Sequence, residues 1–216
     1  MIRFSLTLMM VISYFISSSQ IRTKEITHYI FPKFEDGVVL MKNGRRNEVT
    51  INYNSLSEEM IFLKGDIKLA FGKSETELVD TIFIEGRKFV TLKNKYVELL
   101  SHSAYDLFVE YRCKVQAPGK EVGYGGTSQT AAVDNYSTIQ GNALYELELP
   151  DGYETNPYFI YWIKKDGQLH EVLNMSKLKK LYSNKKAQFK VYSKSNNVDF
   201  DNPEDIQKLV SFIESN

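Results

Sequence analysis

Cysteine is almost absent from this chain: Cys113 is the only one in 216 residues. A single thiol excludes an intrachain disulfide framework and any metal centre built on several cysteines. Histidine is scarce as well. His28, His102 and His170 are the only three, far apart and without a second histidine at metal-ligand spacing, so each reads as a surface histidine. Net charge is missing too. The 27 Lys+Arg balance 27 Asp+Glu, which removes the electrostatic footprint expected of a nucleic-acid-binding protein. What is present is ordinary for a folded chain: 43% hydrophobic, 13% aromatic and 25% charged, too apolar for disorder. The length gives room for one large or two small domains.

Long apolar runs are confined to the start. Arg3 supplies a positive leader, Phe4 to Ile16 (FSLTLMMVISYFI) is apolar, and Ser17 and Ser19 place small residues before Gln20. This is the pattern of a secretory signal, residues 1–19, in which a short apolar helix engages the export channel and small side chains fit the peptidase. The polar Ser17-Ser18-Ser19-Gln20 keeps the run below the ~20 residues a bilayer span needs. The expectation is an exported protein, periplasmic or secreted, with no transmembrane anchor after cleavage. In an oxidising compartment Cys113, set in the strand-like LFVEYRC of Leu107 to Cys113, reads as a packed, inert thiol.

From Thr27 to about Gln116 the pattern alternates with period two. Hairpin signatures recur: Val38 to Met41 and Val49 to Tyr53 flank Asn43-Gly44, a pair suited to a type I′ turn. Met60 to Leu63 and Ile67 to Phe71 follow, then Leu78 to Ile84 and Lys88 to Leu92, then Tyr96 to Leu100 and Tyr105 to Val115. Eight short strands at regular spacing predict an antiparallel meander, barrel- or sandwich-like. Residues 117–142 hold five of the twelve glycines with little apolar periodicity, and read as a long functional excursion. Strands resume at Ala143 to Leu149, Phe159 to Ile163 and Leu169 to Leu173.

After residue 173 the spacing becomes helical. Met175, Leu178, Leu181 and Tyr182 share one face, with Asn174 or Ser176 as N-cap. A second helix runs from Lys185 to Lys194. The third has Asn202 as N-cap, Pro203 at the first position, Glu204 and Asp205 in the first turn, and an Ile206, Leu209, Val210, Ile213 stripe. The fold class is therefore α+β, mainly antiparallel β, with a β-rich domain over residues 20–173 and a three-helix cap over 174–216.

Three stretches stand out together: GKEVGYGGTSQT at Gly119 to Thr130, YWIKKDGQ at Tyr161 to Gln168, and FDNPEDIQKLVSFIE at Phe200 to Glu214. With the leader and INYNSLSEEMIFL at residues 51–63, the chain resembles a group of uncharacterised exported proteins of Bacteroidetes-type bacteria. The resemblance implies an envelope address and a β-rich fold with a helical tail, and brings no catalytic residues.

No motif carries chemistry of its own. A phosphate loop requires Ser or Thr after its lysine and a helix beyond it, whereas Gly119-Lys120 is followed by Glu121. Ser128 and Thr127 lack nucleophile-elbow spacing. Asp199, Asp201, Glu204 and Asp205 lack the glycine and late glutamate of a calcium loop, and capping of the last helix explains them. No catalytic residue, cofactor or metal ligand is assigned. The expected role is a non-enzymatic cell-envelope interaction or structural module, with the loop residues Tyr124, Gly125, Gly126, Thr127 and Ser128 meeting an envelope protein. The alternative is a glycan- or lipid-head-group-binding module. It would use the aromatics Tyr158, Tyr161 and Trp162 or the tail lysines Lys179, Lys180, Lys185 and Lys186, from a stretch without acid between Glu171 and Asp199. A hydrolase using Ser128 or Thr127 with a distant histidine is the third reading.

Overall fold

The computed structural model describes residues 28–117, 120–122, 126–128, 139 and 144–215. The expected signal segment, residues 1–19, and the loop residues Tyr124 and Gly125 lie outside these residues. Eight strands precede the excursion, as the alternation predicts: β1 (Glu35–Met41), β2 (Arg46–Asn54), β3 (Glu59–Lys64), β4 (Ile67–Ala70), β5 (Val79–Ile84), β6 (Arg87–Leu92), β7 (Lys95–His102) and β8 (Asp106–Gln116). A small hairpin, β9 (Lys120–Val122) and β10 (Gly126–Ser128), forms its own two-stranded sheet. After it come β11 (Glu154–Lys165) and β12 (Gln168–Val172).

The ten main strands form one antiparallel sheet in the order β12-β11-β8-β7-β6-β5-β1-β2-β3-β4. The chain runs outward from β1 to β4, then returns through a short helix, α1 (Lys73–Leu78), to lay β5 on the other side of β1. The sheet is thus two meanders sharing β1. Its curl shows where β8 outruns β7: the Cys113 amide donates to the Ser55 carbonyl at 2.9 Å, and the Tyr53 hydroxyl donates to the Tyr111 carbonyl at 3.3 Å. The end of β2 therefore meets the far half of β8, although among the described residues the sheet stays open, with β4 and β12 as its edges.

Two expectations are corrected. The Asn43-Gly44 turn is not type I′, since only Gly44 has positive φ, at 84°. Gly44 N–H donates to Met41 O at 2.8 Å and Met41 N–H to Arg45 O at 2.9 Å, the pattern of a type I turn followed by a glycine bulge. Consecutive positive φ angles instead occur at Glu85-Gly86, Lys93-Asn94 and Asp166-Gly167. The second correction concerns Leu144 to Leu149, which forms a short turn and bends rather than a strand. Its carbonyls are held by side chains instead of a ladder: Asn54 Nδ2 donates to Leu144 O at 2.7 Å and Tyr29 Oη to Tyr145 O at 3.0 Å.

The three tail helices are α2 (Met175–Leu181), α3 (Lys186–Ser195) and α4 (Pro203–Ser215). Asn174 and Asn202 cap α2 and α4, accepting from Lys177 N–H at 2.9 Å and Glu204 N–H at 3.1 Å. The apolar stripe of α4 is fully buried, against Leu107, Val109, Tyr161 and Ile163 of the sheet. A second core fills the curl of the sheet, around Ile51, Tyr53, Met60, Ile82 and Phe89. Tyr111 packs against both cores.

Candidate functional site

Where the two cores meet, a cavity of about 530 Å³ remains between the curled sheet and the start of α4. Strand alternation sends Arg87 of β6, Glu98 of β7 and Tyr111 of β8 to this concave side. Arg87 donates from Nε and Nη2 to the two Glu98 oxygens at 2.9 and 2.7 Å. Nη2 also donates to Tyr111 Oη at 2.8 Å, and that hydroxyl donates to Glu98 Oε2 at 2.5 Å. The guanidinium lies 4.8 Å from the Phe31 ring centre, 5.4 Å from Phe89 and 5.2 Å from Tyr111. Burial works against the charge on Arg87, but the Glu98 hydrogen bonds and charge outweigh it and raise its pKa. Burial holds the Tyr111 phenol neutral by raising its pKa. Leu100, Ile30 and Phe159 supply apolar wall, and Gln207 of α4 lines the far side while bonding the Leu100 carbonyl.

A second polar cluster occupies the opposite face of the same strands. The Glu110 carboxylate accepts from Arg112 at 2.8 and 2.7 Å, from Lys95 at 3.1 Å and from the Trp162 indole at 3.0 Å. Lys95 also donates to Glu58 at 2.6 Å, and Lys93 lies 4.4 Å over the Trp162 ring. Burial pushes the Glu110 pKa up, yet Arg112, Trp162 and Lys95 more than reverse this and leave it lowered. Glu110 is therefore an ionised, saturated acceptor, unsuited to general acid work. The cluster fastens the β2–β3 turn to β7, β8 and β11.

The residues singled out from sequence are dispersed. Trp162 and Tyr158 share the outer face with Glu110 and Arg112, but Tyr161 is fully buried on the other face, its hydroxyl donating to Phe200 O at 2.9 Å. Period-two alternation divides the aromatic trio, which removes Tyr161 from any ligand-facing set. Lys185 is likewise committed to the fold, donating to the Ile213 carbonyl at 2.7 Å near the end of α4. Lys179, Lys180 and Lys186 are exposed. Gly126, Thr127 and Ser128 form β10, antiparallel to Lys120–Val122, and their side chains lie outside the described residues.

Histidine placement needs correction at one position. His102 is exposed and pairs through Nδ1 with Asp106, and His170 is half-buried on β12, but His28 is 1% exposed. Burial lowers its pKa, against the opposing effect of the Leu144 and Glu146 carbonyls. Among the described residues, none around His102 assembles a nucleophile: the neighbouring Ser103 hydroxyl bonds Glu214 instead, whose other oxygen accepts from Tyr182 at 2.5 Å. Cys113 is buried, and burial pushes its thiol up to about 11, away from a reactive thiolate.

Arg87, Glu98, Glu110 and Arg112 were missed by motif reading. Their signal was available: Glu98 interrupts YVELL and Glu110 interrupts LFVEYRC, charges set inside apolar strands that need partners. Compared with known proteins, the chain matches no family model, no curated protein and no solved structure. No helix among the described residues is long and apolar enough to cross a membrane.

Proposed function

We propose that the chain is an exported, non-catalytic binding module of the cell envelope, and that the cavity between the sheet and α4 is its ligand pocket. The carrying observation is the Arg87–Glu98–Tyr111 group at its wall. These polar groups are fixed and charge-balanced before any ligand arrives, and Leu100, Ile30 and Phe159 face the same space. A site of this size, apolar with a few convergent polar groups, is typical of small-ligand binding. Balanced charge favours a neutral ligand over an ion. A sugar unit fits both requirements, since its hydroxyls bridge planar polar groups and its ring faces lie on aromatic carbon. Export rests on the leader pattern of residues 1–19 and agrees with a glycan-rich setting.

The test is a titration of isotope-labelled protein with neutral mono- and oligosaccharides, followed by NMR. Shifts are expected at the amides of Ser55, Arg87, Leu100, Phe159 and Gln207, and are expected to disappear in Phe159→Ala. A panel that moves only residues remote from the cavity overturns the pocket assignment.

A second reading, capture of an envelope protein by the 117–142 excursion, draws support from hairpin β9–β10 pairing apart from the main sheet. Ile139 is buried against Leu56, Cys113 and Val115. The informative deletion is therefore residues 119–130, which spares Ile139. Loss of capture with an unchanged thermal transition supports this reading, and unfolding removes it.

A further inference from the structure

We infer that the outer surface of α2 and α3 docks onto an anionic phospholipid layer. Between Glu171 and Asp199 the chain carries Lys177, Lys179, Lys180, Lys185, Lys186, Lys190 and Lys194 and no acid, in a protein whose total charge is zero. Lys185 is spent on the Ile213 carbonyl. The other six are all exposed, and no ion pair or hydrogen bond from their ammonium groups occurs among the described residues. Several lysines elsewhere are paired with carboxylates, Lys68 with Glu146 at 2.5 Å, Lys95 with Glu58 at 2.6 Å and Lys33 with Glu35 at 3.2 Å, and the exposed Lys64 and Lys73 lie outside that acid-free stretch.

Folding does not account for the arrangement. Lys186, Lys190 and Lys194 succeed one another at four-residue intervals along α3, so they form one row, and like charges at that spacing weaken a helix. The inner side of α3 is already committed, with Phe189 buried and Tyr192 stacked on Phe212 at 4.5 Å. The lysine row is thereby presented outward. Beside it Val191 is 64% exposed, the most exposed large hydrophobic side chain among the described residues, and Leu173, before α2, is 45% exposed. Lysines alone suit any polyanion. Lysines interspersed with exposed aliphatic carbon suit a headgroup layer, where phosphate lies at the surface and hydrocarbon just below. The association is peripheral, because none of these helices is long and apolar enough to cross a membrane.

The experiment is co-sedimentation of the purified protein with vesicles of phosphatidylcholine alone and of phosphatidylcholine mixed with phosphatidylglycerol. Binding is expected only to the mixed vesicles and is expected to fall as salt is raised. K186Q/K190Q/K194Q should lower the partition coefficient about a hundredfold, at roughly fivefold per lysine. The control K64Q/K73Q with R46Q removes the same charge from exposed positions elsewhere and should change it little. V191S should weaken binding without altering the salt slope. Far-ultraviolet circular dichroism confirms that each variant is folded. Equal binding to both vesicles, no binding to either, or equal loss in the triple variant and the control overturns the inference.

Discussion

Arg87 and Glu98 meet side by side, two hydrogen bonds of 2.9 and 2.7 Å joining them inside a ring of three aromatic side chains. The Glu98 side chain is only 9% exposed, so removing Arg87 strands a carboxylate. Arg87→Ala should cost about 3–5 kcal/mol in urea denaturation. The double variant Arg87→Met/Glu98→Leu should recover most of that loss, because an apolar pair of similar volume avoids desolvation. If the double variant is as unstable as the single one, the pair stabilises the curl of the sheet beyond its own neutralisation.

Trp162 is the only tryptophan, and its indole N–H donates to Glu110 at 3.0 Å, which makes its emission a reporter of that carboxylate. The Glu110 pKa is lowered below its ordinary 4.5. The folded state therefore binds fewer protons than the unfolded state just below that pH. Stability from this group is fully present above about 4.5 and is lost as pH falls through the folded value. Trp162 emission should shift over the same acid range. Glu110→Gln should cost about 2 kcal/mol at neutral pH and remove that shift. An emission change that persists unaltered in Glu110→Gln would assign it to another group.

Most of the architecture was legible because short-range rules govern it. Alternation located β1 to β8, and the Asn202–Pro203–Glu204 start with its apolar stripe located α4, because the cap and the buried face are encoded within a few residues. Three features were not local. Strand β5 pairs with β1 rather than β4, a choice made across forty residues by the core inside the curl. Helix α1 is six residues long with only Thr76 buried, too short to show an apolar period. Residues 144–149 look like a strand, yet their polar partners are Asn54 and Tyr29, supplied from the other end of the chain. The cavity was invisible for the same reason: Arg87, Tyr111 and Gln207 converge only after the sheet has curled and α4 has docked.

The Cys113 thiol provides a probe of opening. It is buried beside Ser55, and its pKa is pushed up to about 11, so both access and ionisation oppose reaction at neutral pH. Native protein should resist a disulfide-exchange reagent, with labelling at the rate at which β8 separates from the end of β2. Adding low urea should accelerate it. Labelling as fast as a free thiol, without denaturant, would mean that the contact between Cys113 N–H and Ser55 O is not maintained in solution.

His28 should make stability depend on pH just below neutrality. Its backbone carbonyl accepts from Ser55 N–H at 2.8 Å and Ser55 Oγ at 2.7 Å, and its ring packs on Tyr29 at 4.7 Å. The neighbouring 144–149 segment brings Tyr145 and Glu146, tied respectively to Glu59 and Lys68. Burial lowers the His28 pKa below 6.5, so below that pH the unfolded chain binds a proton that the folded chain refuses. Stability from the neutral ring is therefore complete above 6.5 and declines as pH falls toward the folded value. Urea midpoints measured from about pH 8 to about pH 5 should fall in the wild-type protein and flatten in His28→Gln. Hydrogen exchange should show the first loosening at Tyr145 and Asn54, where the segment is strapped to β2. An equally steep decline in His28→Gln would assign the effect to a group other than His28.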